Sequence, residues 1–133
     1  MKNLLFLLAS VAFFSFPALA QDNKEAGRLQ VKMAQYIAKK LKLNSSETEK
    51  FQPMFLEYHS EVRKSNIANR GDRLKMQQQI VEIRLRYREK FKSVIGEKKS
   101  NEVFFYEREF IKEVQELRKQ RRGKTKRNMP RLQ

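Results

Sequence analysis

Few residues in this 133-residue chain could do chemistry, and their spacing does not favour it. His59 is the single histidine, whereas a metal site needs three or four ligands that converge from different directions. Met33, Met54 and Met76 could bind copper(I) as soft ligands, but each lies at the spacing of a helical core. Ser45 and its polar neighbours are explained by helix initiation. We therefore predict no catalytic residue, no metal site and no cofactor, and expect a protein that is not an enzyme.

The N-terminal residues have the pattern of a secretory signal. Residues 1–20 combine Lys2, an apolar run and a small-residue Ala-Leu-Ala sequence before Gln21. The apolar run of about 13 residues is shorter than the ~20 needed to span a bilayer, which favours cleavage over an uncleaved anchor. The sequence lacks cysteine, which excludes disulfides and lipid attachment through a thiol. We therefore expect an exported periplasmic protein with one domain from 21 to 117.

The C-terminal residues are strongly basic. The chain has a net charge of +15, and residues 118–133 contain eight of its 30 lysines and arginines and no acid. Such a block repels itself and lacks apolar periodicity, so we predict a disordered tail. Export excludes nucleic acid as its partner, which leaves an acidic membrane or polysaccharide surface, an acidic protein segment, or a tail that only aids solubility.

Apolar spacing predicts four helices, and 4 glycines and 3 prolines are too few for the tight turns of a β fold. The first helix is predicted from Lys24 to Lys42, with Asp22 and Glu25 as a capping box. A third helix follows turn residues at 66–72, and a fourth begins near Gly96. The predicted apolar seam of the third helix contains Met76, Ile80, Ile83, Tyr87, Phe91 and Val94. We therefore expect an all-α domain.

The second helix begins in a run of small polar residues. Asn44, after Leu43, is a good N-cap, and Glu47 stands at the third helical position, where its side chain can reach back to the cap. Pro53 lacks the N–H that a mid-helix residue donates, so we expect the helix to bend there and to continue. We interpret these four residues as structural.

The third and fourth helices interleave cations with aromatic residues. The consecutive Phe104, Phe105 and Tyr106 cannot all face one core, so at least one should stay exposed or contact another subunit. An exposed ring among cations could bind extended polypeptides, whereas a dimer core with a solvated face explains the same residues. The candidate client-binding residues are Arg84, Arg86, Arg88, Lys92, Phe104, Phe105 and Arg108.

A weak internal match appears when the chain is shifted by 52 positions, placing Leu43 on Ile95 and Phe51 on Val103. The segments KKLKLNSSETEKFQPMFLEYHSEV (39–62) and RYREKFKSVIGEKKSNEVFFYERE (86–109) resemble the Spy/CpxP family of periplasmic proteins, especially its Bacteroidetes branch. Residues 43–47 stand where that family has its Leu-Thr-x-x-Gln motif, and residues 95–99 stand at its second copy.

This resemblance implies an all-α fold with a bent helical hairpin, assembled as an antiparallel, cradle-shaped homodimer. It implies a periplasmic, ATP-independent chaperone (holdase) that binds unfolded or partly folded proteins on a cationic and aromatic concave surface during envelope stress. The alternative is a regulatory accessory of an envelope-stress or extracytoplasmic sigma-factor pathway, which would dock on a sensor protein and could respond to metal.

Overall fold

A computed structural model describes residues 18–127, with side chains from 26 to 125. This part of the chain contains four α-helices and no strand, which confirms the all-α prediction. Residues 1–17 of the predicted signal peptide and residues 128–133 of the predicted tail lie outside it. The helices are α1 (Ala18–Lys40), α2 (Ser45–Ala68), α3 (Arg73–Ile95) and α4 (Glu97–Arg127).

Each helix packs against the next, and α1 also packs against α4. The short connections make consecutive helices antiparallel. The core between them holds residues from all four helices, and aromatic rings of α2 and α3 form its centre; Phe51 lies 5.2 Å from Phe91 between ring centroids. The buried apolar residues are Met33, Ala34, Ile37, Ala38, Leu41, Phe51, Phe55, Tyr58, Tyr87, Phe91, Ile95 and Val103.

The connection between α1 and α2 confirms the predicted helix start. Lys42 adopts a positive φ of 51°, and the N–H of Leu43 donates to the Ala38 carbonyl at 3.0 Å, which closes α1 with a Schellman motif. Asn44 then caps α2: its side chain accepts from the Glu47 N–H at 2.8 Å, and Glu47 accepts from the Asn44 N–H at 3.1 Å. Leu43 packs against the core.

Helix α2 continues through Pro53, as predicted. Pro53 is exposed, so its ring faces solvent, and the apolar face on either side of it remains in the core through Phe51, Phe55 and Tyr58. The bend expected at Pro53 stays a prediction. Asp72 caps α3 by accepting from the Lys75 N–H at 3.0 Å.

Three predicted helix boundaries are wrong. Helix α2 continues to Ala68, so residues 66–68 of the predicted turn are helical. Helix α1 already includes Ala18, so Asp22 lies inside it and cannot form the predicted capping box with Glu25. Helix α4 continues to Arg127, so residues 118–127 of the predicted disordered tail are helical. Arginine, lysine and glutamine are good helix formers, and cations at the C-terminal end of a helix interact favourably with its macrodipole.

The two halves suggested by the internal match meet at one end of the fold. Glu47 and Lys99 each occupy the third position of their helix, 52 residues apart, and Lys99 Nζ lies 3.0 Å from Glu47 Oε2. This contact lowers the pKa of Glu47, helped by the Asn44 N–H. The starts of α2 and α4 are therefore joined by an ion pair.

Candidate functional site

The most unusual buried residue is a glutamate that we did not predict from the sequence. Glu107 on α4 is only 3% exposed, although charged side chains are almost never fully buried without a partner. A signal for it exists: Val103, Glu107, Phe110 and Val114 follow the four-three-four spacing of an apolar helix face. Shifted by 52 positions, Glu107 also falls on the buried Phe55.

Three side chains from α2 and α3 surround this carboxylate. The Tyr58 hydroxyl lies 3.2 Å from each Glu107 oxygen and accepts a hydrogen bond from Arg84 Nε at 3.2 Å. Arg84 Nη2 lies 3.6 Å from Glu107 Oε2. His59 Nε2 lies 3.5 Å from Glu107 Oε1, and this nitrogen has no hydrogen-bond partner among the described residues. We refer to Glu107, Tyr58, Arg84 and His59 as the Glu107 cluster.

Burial controls the charges in the Glu107 cluster. It raises the pKa of Glu107, although Arg84 and the hydrogen bond from Tyr58 act in the opposite direction. Burial, together with the positive charges of Arg84 and Arg63, lowers the pKa of His59 to about 4. His59 is therefore neutral at pH 7, and Arg84 is the cation that balances Glu107.

The His59 side chain is only 14% exposed and packs against the Phe55 ring, with 4.8 Å between the ring centroids. Met33 belongs to the core and Met54 packs against it. The described residues hold no cluster of three or more metal-ligating His, Cys, Asp or Glu side chains.

The Glu107 cluster fixes one of the predicted client-binding residues. Arg84 is held on the inside by Tyr58 and Glu107, and its guanidinium also lies 5.7 Å from the centroid of the Phe104 ring. About a third of the Arg84 side chain still reaches solvent. The arrangement thus connects three helices and presents a cation at a defined place on the surface between α3 and α4.

The predicted client-binding residues do not form a single patch. Arg86 turns toward α2, where it pairs with Glu61, and the nearby Tyr87 hydroxyl donates to the same carboxylate at 2.7 Å. Phe104 is partly buried against the core, in contact with Tyr58 and Phe91. Arg86, although 55% exposed, is therefore held by an ion pair to α2, whereas Phe104 contributes mainly to packing between helices.

The remaining predicted residues are accessible to solvent. Arg88 and Lys92 lie along α3 in exposed ion pairs with Glu89 at 3.7 Å and Glu97 at 3.6 Å. Such pairs are weak, so both cations can interact with other groups. Phe105 on α4 is 49% exposed and Arg108 is exposed, in agreement with the expectation that one of the three consecutive aromatic residues stays accessible in the single chain.

An exposed apolar face on α3 was missed by the sequence reasoning. Leu74, Val81 and Leu85 are 79%, 52% and 49% exposed, and their spacing of seven and four residues places them on one side of the helix. Arg84 follows Val81 by three positions and Arg88 follows Leu85 by three, so the cations lie beside them. We call this surface the α3 outer face; its residues are Leu74, Val81, Arg84, Leu85, Arg88 and Lys92.

The signal for this face was present in the apolar residues of α3. The predicted seam used six residues at core spacing, of which Tyr87 and Phe91 are buried and Ile83 and Val94 pack against the core. Leu74, Val81 and Leu85 lie outside that seam, and a helix with apolar residues on two faces indicates a second contact surface.

None of the helices described here, from Ala18 to Arg127, is both long and apolar enough to cross a membrane. Comparison of the chain with protein-family models, curated proteins and solved structures finds no match. The resemblance of residues 43–47 and 95–99 to the Spy/CpxP motif therefore stays a prediction from the sequence.

Proposed function

We propose that this protein is a periplasmic, ATP-independent holdase that binds unfolded or partly folded proteins on the α3 outer face. The observation that carries the proposal is the exposure of Leu74, Val81 and Leu85 beside Arg84 and Arg88. Scattered exposed apolar residues are common, but a row of three on one helix face is a typical contact surface.

Charge would attract a client from a distance, and apolar contact would hold it once it has arrived. A chain with a net charge of +15 attracts acidic and polar segments over about a Debye length, roughly 8 Å at physiological salt. Val81 and Leu85 would then cover apolar side chains of the client. Contacts of this size are weak individually, so a client could leave without an input of energy from nucleotide hydrolysis.

The Glu107 cluster fixes the position of Arg84 on the α3 outer face. Because Arg84 is held by Tyr58 and Glu107, its charge is positioned before a client arrives, which lowers the entropy cost of binding. We also propose, from the resemblance, the bent helical hairpin and the antiparallel, cradle-shaped homodimer of the Spy/CpxP type. In such a dimer two copies of the α3 outer face would enlarge the area available to a client.

The test is suppression of the aggregation of an unfolding client, using the exported chain with its N-terminus determined by mass spectrometry. Replacing Val81 and Leu85 by serine should raise the amount of protein needed for half-suppression several-fold. The matched control replaces Val31 and Ile67 by serine, two apolar residues on α1 and α2 that are 39% and 55% exposed. This control should behave like the unmutated protein, and high salt should weaken suppression in all three.

Two results would contradict the proposal. One is a lack of suppression by the unmutated chain at any ratio of protein to client. The other is an equal loss in the Val81/Leu85 and Val31/Ile67 variants, which would mean that the α3 outer face has no special role. A single saturable partner in a crosslinking experiment, without general suppression, would favour the sensor accessory instead.

A further inference from the structure

The C-terminal part of α4 exposes its side chains to solvent. Every side chain described from Gln115 to Thr125 is exposed. From Arg118 to Thr125 the helix contains five cations and no acid, and the chain contributes Lys126, Arg127 and Arg131 after them. This is the most positively charged part of the molecule, and it is held in a helix that continues to Arg127. We call residues 118–127 the basic helix end.

The cations of the basic helix end surround the helix axis. Successive residues of an α-helix are rotated by about 100°, so Arg118, Lys119, Arg121 and Lys124 project from four different sides. A protein partner usually contacts one face of a helix, with apolar residues at the centre of the contact. Leu117 is the last apolar residue before Met129, so this segment has no such centre. Charge on all sides without an apolar face fits an extended anionic surface.

We propose that the basic helix end binds the anionic lipid surface of a membrane through the phosphate groups of its headgroups. Each lysine or arginine close to such a surface multiplies the partition of a protein by roughly fivefold. A helix is about 10 Å wide and the Debye length is roughly 8 Å, so the cations on the far side are partly screened. With about three of the five cations between Arg118 and Lys124 engaged, the gain is on the order of 100-fold.

This attachment is separate from the proposed chaperone activity, because vesicle binding needs no client. The two surfaces lie on different elements: the α3 outer face ends at Lys92, whereas the basic helix end begins at Arg118 on α4. Attachment through α4 would keep the α3 outer face available beside a membrane.

The experiment measures cosedimentation of the exported chain with vesicles of 30% phosphatidylglycerol in phosphatidylcholine and with vesicles of phosphatidylcholine alone. We expect binding to the anionic vesicles only, and its loss in high salt. The test variant replaces five cations by glutamine and should lower the partition by about 100-fold. Its substitutions are at Arg118, Lys119, Arg121, Arg122 and Lys124.

A matched variant separates position from net charge. It replaces five exposed lysines of α1, α2 and α3 by glutamine, which changes the net charge by the same amount, and it should lower the partition only a few-fold. Circular dichroism of both variants checks that the fold is retained. These substitutions are at Lys32, Lys39, Lys50, Lys64 and Lys75.

Four results would overturn the inference: no vesicle binding, equal binding to neutral and anionic vesicles, equal losses in the two variants, or displacement from vesicles by a low concentration of dextran sulfate. The last would assign the basic helix end to an acidic polysaccharide. None of them affects the suppression of client aggregation, so failure of this inference can be distinguished from failure of the proposed function.

Discussion

Replacing Tyr58 by phenylalanine removes a single hydroxyl from the centre of the Glu107 cluster. That hydroxyl donates to Glu107 and accepts from Arg84, with all three distances at 3.2 Å. The ring itself is fully buried and keeps its packing in the variant. The change therefore tests how much the buried carboxylate depends on its hydrogen bond.

The magnitude follows from the two contacts that are lost. Hydrogen bonds to charged groups contribute about 1.5 to 3 kcal/mol each, and separations of 3.2 Å place these two at the lower end. Glu107 lies too deep for water to replace the hydroxyl, whereas the partly exposed Arg84 can recover some of its loss from solvent. We expect Tyr58→Phe to lower the free energy of unfolding by about 2 to 3 kcal/mol.

Tyr87 provides a matched control. Its ring is equally buried and its hydroxyl donates to a glutamate at 2.7 Å, but that acceptor, Glu61, is 33% exposed and is also bound by Arg86. Water can replace the Tyr87 hydroxyl, so Tyr87→Phe should cost about 1 kcal/mol. The difference between the two variants, about 1 to 2 kcal/mol, measures the effect of burying the carboxylate.

The assay is urea unfolding at pH 7, followed by circular dichroism, with the slope m checked for constancy. A double-mutant cycle adds Glu107→Gln: in that background Tyr58→Phe should cost only about 1 kcal/mol, because a neutral amide accepts a weaker bond. If Tyr58→Phe costs no more than Tyr87→Phe, the Tyr58 hydroxyl is not what satisfies the buried Glu107 carboxylate.

Four further substitutions can be tested in the same unfolding assay. Asn44→Ala should cost about 1 kcal/mol through loss of the cap of α2, and full retention of stability would contradict the capping box. Gly96→Ala should cost about 1 to 3 kcal/mol, because Gly96 has a φ of 84° and a ψ of 167°. Lys42→Gly should instead stabilise the chain by up to ~1 kcal/mol, because Lys42 has a φ of 51°, which glycine adopts more readily than lysine. A stabilising Gly96→Ala or a destabilising Lys42→Gly would contradict these two predictions. Neutral His59 contributes stability that is present above pH 6.5 and is lost as the pH falls through about 4. His59→Gln should therefore flatten the dependence of the free energy of unfolding on pH between those values. An unchanged pH dependence would exclude a buried His59.

Local sequence was sufficient for most of the helical architecture. The positions of Asn44 and Glu47 predicted the start of α2, and the apolar spacing predicted that the helix passes through Pro53. The larger errors fell at the ends of the chain, where Asp22 lies inside α1 and Arg118 lies inside α4. Helix ends are the hardest boundaries to predict, because the helical and non-helical states of a terminal residue differ by only a small free energy there.

The candidate site was only partly predictable. Arg84, Arg88 and Phe105 were identified from the alternation of cations and aromatic residues, but Glu107 and the α3 outer face were not. A glutamate on a helix is normally a solvated residue, so its type argued against the burial that its spacing indicated. Which of two apolar faces on α3 enters the core depends on the neighbouring helices.

The amino-acid sequence by itself determined the number of helices and the cap of α2, because both arise from interactions within a few residues. The tertiary structure alone decided that Glu107 would be buried, that Tyr58 and Arg84 would balance it from two other helices, and that Lys99 would meet Glu47 across 52 residues. These contacts join side chains far apart in the chain, and they form only when the helices pack against one another.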